Sequence, residues 1–262
     1  MPELPDVAGF QARFNRRGLR RRVAGLHVRK ARLVRGANAQ GLGRRLKDRA
    51  FTATHRHGKY LFAQTDGGGW LVLHFGMTGE LAFYEEEEEQ PERAAAVIDF
   101  RDGGRLAYVS LRLLGRIEWT AAPADVVQRE KLGPDALDAW WTAERFAERF
   151  AEHRGTLKSA LMKQSLIAGI GNIYSDEILF QCGLPPKTAL DELDADGLRG
   201  VRRTLRRVLR TATKAHQAPR SIPHTYLLHR RSEDGVCPRC GTELATVNVS
   251  GRTSYYCPRC QG

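Results

Sequence analysis

Residues 166–180 read LIAGIGNIYSDEILF. Gly169 and Gly171 break an apolar run and free the backbone for a tight turn. Apolar residues then resume at helical spacing, so one helix ends here and another begins. Asn172 stands where the second helix starts and suits the N-cap position. Two uses fit this corner. It is a packing corner with glycine for close approach, or the unpaired N–H groups of the helix start form a site for phosphate. These residues alone leave both open.

The helical character extends outward from that corner. Upstream, WTAERFAERFAEHRG and TLKSALMKQSLIAGIG carry helical patterns, and downstream a long helix is expected from about residue 193 to 215. Its apolar stripe is Leu198, Val201, Leu205, Val208 and Leu209, and arginines from Arg199 to Arg210 crowd the other faces. Most of those arginines read as a solvated face, and a few near one end are within reach of phosphate. Beyond the helix lie CPRC, sixteen residues and a second CPRC. Cys237, Cys240, Cys257 and Cys260 at this spacing suit one tetrahedral zinc ion with no open position, hence a structural metal. Cys182 stands alone in an apolar stretch and reads as a small buried residue.

The first half has a different pattern. Residues 5–18 show Val7, Phe10 and Phe14 on one helical face, stopped by Gly18. Short β-rich stretches come next, among them VAGLHV, RLV, FTATHRHGKYLFAQT, GWLVLHF, ELAFY, AAVIDF, RLAYV and GRIEWT, divided by Gly and Asp-Gly turns. No helical pattern is read between them, so an antiparallel sandwich or barrel is expected. The run Glu85 to Glu89 reads as a solvated loop. AAPADVVQREKLGPDAL, with two prolines, reads as a linker. The resulting divisions are 1–120, a linker at 121–134, 135–226 and 227–262. Net charge is +12, from 42 basic and 30 acidic residues, as in proteins that replace counterions on nucleic acid. No apolar run is long enough to cross a membrane, and no signal-peptide segment is read, so the cytosol is expected.

The chain opens MPELPD. Removal of Met1 leaves Pro2 with a free secondary amine beside the Glu3 carboxyl. Such an amine can attack a sugar C1′, or the hexapeptide is an ordinary start. HRHGKYLF puts Lys59 at a basic hairpin turn, and HFGMTG puts Met77 on a glycine-flanked loop. A solvated lysine and a core methionine are the plain readings. A phosphate contact and a wedge into a base stack are the functional ones.

PELPD, HGKYL, HFGMTG, AGIGNIYSDEILF and the paired CPRC motifs, in this order, resemble the bacterial formamidopyrimidine-DNA glycosylase / endonuclease VIII family, closer to the formamidopyrimidine branch. The resemblance covers nearly the whole chain. It implies an α+β fold of two domains: an N-terminal antiparallel β-sandwich with an N-terminal helix, and a helical helix–two-turn–helix domain with a β-hairpin zinc finger. It implies a base excision repair glycosylase with AP lyase activity. Oxidised bases leave duplex DNA through an N-terminal proline Schiff base, with β,δ-elimination. By the same resemblance Pro2 is the nucleophile, Glu3 the acid at the sugar, and Lys59 a contact to the lesion-flanking phosphate. Asn172 and Arg252 grip phosphates around the flipped nucleotide. Lys158 and Tyr174 are further phosphate contacts, Glu177 orients the active site, and Met77 and Arg112 fill the gap left by the base. The resemblance also implies a bacterial monomer acting in the cytoplasm, at the nucleoid, on damaged double-stranded DNA.

Three places depart from the family pattern. Residues 110–115 read SLRLLG where Asp-Pro-Arg-Arg-Phe-Gly is usual, so Leu113 and Leu114 replace an arginine and an aromatic wedge. The 215–236 segment is short, and Asp6 replaces a second glutamate. Backbone-cleaving chemistry is unaffected, but oxidised pyrimidines, hydantoins and bare abasic sites stay open as substrates beside 8-oxoguanine. An AP lyase, or a non-catalytic DNA-binding protein of the same fold, is the competing reading. A zinc-ribbon interaction protein leaves the β-rich half unexplained.

Overall fold

The structure is a computed structural model and describes residues 1–85, 90–217 and 222–262. Most of the acidic run, Glu86 to Glu89, lies outside the described residues, as do residues 218–221 of the short segment. The chain divides into two compact units, Met1–Pro2 with Asp6–Glu130, and Glu3–Pro5 with Lys131–Gly262.

The first unit holds most of α1 (Leu4–Arg17), then β1 (Val23–Val28), β2 (Val34–Arg35), α2 (Ala39–Leu46), β3 (Phe51–His57), β4 (Tyr60–Thr65), β5 (Trp70–His74), β6 (Gly79–Tyr84), β7 (Ala94–Phe100), β8 (Arg105–Ser110), β9 (Arg116–Thr120) and α3 (Pro123–Arg129). Two sheets form, ordered β1-β7-β8-β6 and β2-β9-β5-β4-β3. Consecutive strands joined by tight turns pair antiparallel, as in the register Tyr60↔His74 and Leu61↔Leu73. Leu71, Leu73 and Ile117 from one sheet and Leu81, Ile98 and Leu106 from the other share one core, which is the expected sandwich. Val7, Phe10 and Phe14, spaced at helical intervals on α1, join it. Phe14 is wholly buried and meets Phe51 edge-on at 5.0 Å and Phe83 at 6.2 Å.

Two local readings differ from the structure. The sequence pattern predicts strands without helices between them, yet α2 lies between β2 and β3, and β2 pairs parallel to β9. The α2 sequence AQGLGRRL has two glycines and only Leu42 and Leu46 to bury, so its pattern is faint. The stretch that reads as a linker contains α3. Pro123 occupies the first turn, where a missing N–H costs nothing, and the Asp125 carboxylate accepts the Ala122 N–H at 3.0 Å. Glu130 then takes both guanidinium nitrogens of Arg116 at 2.8 Å.

The second unit contains α4 (Ala143–Ala151), α5 (Leu157–Met162), α6 (Asn172–Cys182), α7 (Ala195–Gln217) and a hairpin of β10 (Ala245–Val249) and β11 (Arg252–Tyr256). The five stripe residues of α7 are buried together with Trp141, Phe146, Phe150, Ile178 and Leu4. The helix expected to run to Gly171 stops at Met162. Gln164 shapes the connection from α5 to α6: its amide donates to Met162 O at 2.8 Å and Ile170 O at 2.7 Å and accepts from Gly169 N at 3.0 Å. These bonds replace helical ones and make the second turn before α6. Cys182 is half-buried against the helical core.

Phe14→Ala removes the ring at the centre of the sandwich core. The expected cost is about 3–5 kcal/mol, read as a lowered urea midpoint for the first unit's transition, with zinc content unchanged.

Candidate active site

Glu3 is fully buried and belongs to the second unit. Its carboxylate accepts the N–H of Gly171 at 2.6 Å, of Ile173 at 2.8 Å and of Tyr174 at 3.2 Å. The Leu4 N–H donates to Gly169 O at 2.9 Å alongside. A carboxylate against unpaired donors and the positive end of a helix is a favourable arrangement. It corrects one expectation and decides between two open readings. Gly171, not Asn172, holds the N-cap position, and Asn172 is the first residue of α6. Of the two uses left open at this corner, phosphate binding by the helix-start N–H groups is not the one observed, because Glu3 occupies them. Pro2 is half-buried and lies one peptide bond before that fixed carboxylate.

Asn172 instead donates its side-chain amide to Thr253 O at 2.9 Å, which places it beside exposed Arg252 on β11. The structure thus brings together the two residues expected to grip phosphate. The Asn172 Oδ1 is buried and carries no hydrogen bond among the described residues. Lys158 and Tyr174 are not placed as exposed phosphate contacts. Lys158 is wholly buried, with its ammonium on the Asp176 carboxylate, and Tyr174 is buried with its hydroxyl 3.5 Å from His216 Nε2. A motif position shows the residue type but not its burial. Glu177 is buried too. It accepts the Leu228 N–H at 2.9 Å and the Gln181 amide at 2.8 Å, and burial pushes its carboxyl up to about 7. Asp176, absent from the residues expected at the site, binds Lys158, Arg231 and the Tyr255 N–H. An acidic pair amid apolar helix residues was the available signal.

The four zinc-finger cysteines place their sulfurs within 4.8 Å of one another. Three pairs stand 3.5–3.8 Å apart. Tetrahedral zinc with bonds of about 2.3 Å needs sulfurs nearly 3.8 Å apart, so the four thiolates fit one ion. All positions being thiolate, zinc there holds the hairpin and takes no part in chemistry.

In the first unit, Lys59 sits in the turn between β3 and β4, next to Tyr60. His74 lies across from Tyr60 and Arg116 on the neighbouring strands. Burial, then the charges of Arg116 and Lys59, push its imidazole down to about 4, so it is neutral at physiological pH. Met77 and Arg112 meet: the Arg112 guanidinium approaches Met77 Sδ at 3.4 Å, and the Arg112 N–H donates to Thr78 Oγ1 at 3.0 Å. Gly76, at φ +57°, lies close against the 110–115 loop, and a Cβ there would stand 2.5 Å from the Leu114 carbonyl carbon. Leu113 has φ +52°, and Leu114 is 59% exposed. The loop that lacks the aromatic wedge therefore presents an aliphatic side chain.

Family models for the formamidopyrimidine-DNA glycosylase N-terminal domain, its H2TH domain and the zinc finger found in FPG and IleRS match residues 1–117, 132–222 and 235–262. Formamidopyrimidine-DNA glycosylase of Synechocystis is 30% identical, covering 100% of this chain and 98% of that protein. The Thermomicrobium roseum enzyme is 31% identical, covering 100% and 99%. The chain belongs to the formamidopyrimidine-DNA glycosylase family. Among solved structures, Lactococcus lactis formamidopyrimidine-DNA glycosylase bound non-covalently to DNA with an AP site superposes with TM-score 0.87 at 22% identity, covering 99% of both chains. The same enzyme with DNA carrying N7-benzyl-Fapy-dG gives 0.87 at 23%. These likenesses establish the fold. Family membership makes the chain a bifunctional DNA glycosylase and AP lyase.

Glu177 gives a pH signature. Its carboxyl binds its proton more tightly folded, near 7, than at the ordinary 4.5, so its contribution to stability is complete below pH 4.5 and is lost as pH rises through 7. Glu177→Gln keeps an acceptor for the Leu228 N–H and has no proton to lose. The variant should match the parent below pH 4.5 and exceed it by about 3 kcal/mol at pH 8, as thermal unfolding across pH will show.

Proposed function

We propose that this chain excises oxidised purines from duplex DNA and cuts the strand at the resulting abasic site, with Pro2 as the reacting amine. The observation that carries this reading is the buried Glu3 carboxylate held by three N–H groups of α6 and the residue before it. The residue fixed in this way is the sequence neighbour of Pro2. Met1 must first be removed. The terminal amine has a reference pKa of about 7.7–8.0, so a reactive neutral fraction exists at physiological pH.

The target nucleotide leaves the stack at a cost of a few kcal/mol. Arg112 and Met77, already in contact, fill the space. Asn172 and Arg252 of the second unit hold phosphates around the nucleotide, and Lys59 of the first unit contacts a lesion-flanking phosphate. The Pro2 nitrogen attacks C1′, and the bond to the base breaks with its electrons leaving on the base, which takes up a proton. Ring opening moves the C1′–O4′ electrons to O4′, which is protonated, and leaves a C1′ iminium. The iminium acidifies the C2′ proton, whose loss expels the 3′ phosphate, and a second elimination expels the 5′ phosphate. Hydrolysis then frees Pro2. Glu3, fixed beside Pro2, is the carboxyl group serving the sugar. The work of the protein is to place an amine and a carboxyl at one carbon atom. The chain acts as a monomer on the bacterial chromosome in the cytoplasm, and no helix among the described residues is long and apolar enough to cross a membrane.

Exposed Leu114 in place of an aromatic wedge favours a second reading, an AP lyase with altered lesion choice. Borohydride trapping on duplexes carrying 8-oxoguanine, an oxidised pyrimidine or an abasic site separates the two. Trapping on 8-oxoguanine supports the first reading, and trapping on the abasic site alone supports the second. Blocking the Pro2 nitrogen by acylation should abolish trapping on every duplex. Glu3→Gln should lower the excision rate by about 10²-fold or more. No adduct on any duplex, with DNA binding intact, rejects the amine mechanism.

A further inference from the structure

The zinc hairpin is a two-stranded sheet, so among the described residues β11 has an outer edge with no strand beside it. Two-stranded hairpins are marginal alone, and such an edge leaves strand N–H and C=O groups to satisfy. Here α6 supplies the partners. The Asn172 amide donates to Thr253 O at 2.9 Å, and the Asp176 carboxylate accepts the Tyr255 N–H at 3.2 Å. Residues four apart on a helix rise about 6 Å, and residues two apart on a strand advance about 6.7 Å. Asn172 and Asp176 therefore span the same length as Thr253 and Tyr255, and one helix face replaces a third strand.

Asp176 does more than match the register. Its side chain is entirely buried. Oδ1 takes the Lys158 ammonium, and Oδ2 takes Arg231 Nε at 3.1 Å and Nη2 at 2.8 Å as well as the Tyr255 N–H. The Arg231 guanidinium lies over the Tyr255 ring at 5.2 Å, a second link from Asp176 to the same strand residue. The cysteines anchor the hairpin at the end where Tyr256 leads into Cys257. Arg252 is at the opposite end, after the Ser250–Gly251 turn. Zinc alone leaves that end free to swing.

We propose that Asp176 is a positioning residue for Arg252: by docking the outer edge of β11 on α6 it sets Arg252 beside Asn172 and completes the phosphate grip. This rests on the role of Arg252 proposed above. Asp176 touches neither DNA nor the reacting atoms, so its removal acts on binding and leaves the chemical step alone.

The test uses full-length Asp176→Asn, Lys158→Met/Asp176→Asn, Arg252→Ala and the combination of Asp176→Asn with Arg252→Ala. Zinc content, the Kd for a duplex bearing a tetrahydrofuran abasic analogue, and KM and kcat on a lesion duplex are measured for each. Asp176→Asn is expected to retain one zinc per chain, to raise Kd and KM about tenfold, to leave kcat within about twofold, and to add less than about twofold in Kd once Arg252 is already alanine. If Asp176→Asn loses zinc because Lys158 is left as a buried unpaired cation, the Lys158→Met pair, which removes that cation, decides instead. Loss of zinc in both makes Asp176 a fold residue and overturns the proposal. Additive losses in the combination, or a fall in kcat with KM unchanged, also overturn it. Arg252→Ala without effect on Kd rejects the role of Arg252 itself, an outcome distinct from failure of Asp176 to act through it.

Discussion

A single buried carboxylate organises the second unit's functional end. Glu3 comes from the start of the chain and supplies the N-terminal cap that α6 lacks, because Gly171 has no side chain to offer. Three donors and the helix dipole make that contact worth more than an exposed ion pair. The site residues of the second unit are then defined relative to α6. Pro2 is tied to it through the peptide bond to Glu3, and Asn172 opens its first turn. Asp176 and Glu177 project from its middle.

Asp176 and Glu177 are neighbours in sequence and both are buried, yet their surroundings differ. Asp176 faces two cations and a strand N–H, so its charge is compensated. Glu177 has amide donors and the more distant guanidinium of Arg239, and burial dominates. Asp176 ties together Lys158, Arg231 and the Tyr255 N–H, whereas burial raises the Glu177 carboxyl to about 7.

What could be read from the sequence was local. Cys237, Cys240, Cys257 and Cys260 were legible because ligand spacing is a property of a short chain segment. The stripes on α1 and α7 were legible because helical periodicity repeats over several turns. The short helix α2 was not, since Gly41 and Gly43 dilute its pattern, and α3 hid behind prolines that also mark linkers. The family motifs picked out Glu3, Asn172, Met77, Arg112 and Arg252 as residues of interest. They did not show that Glu3 caps α6, that Lys158 is interior, or that Asp176 joins α6 to the hairpin. Each of those facts depends on partners far away in sequence, which no spacing rule contains.

Glu3 and Gly171 are 168 positions apart. At synthesis rates of about 5–20 residues per second, the chain start waits on the order of ten to thirty seconds before its helix exists. During that interval Met1 and Pro2 are accessible to an aminopeptidase, and after it trimming must work on a start whose next residue, Glu3, is buried. Maturation of the amine and assembly of the pocket thus compete in time. Slow trimming, or a folding unit that closes early, would leave a correctly folded molecule with its nucleophile still blocked as an amide.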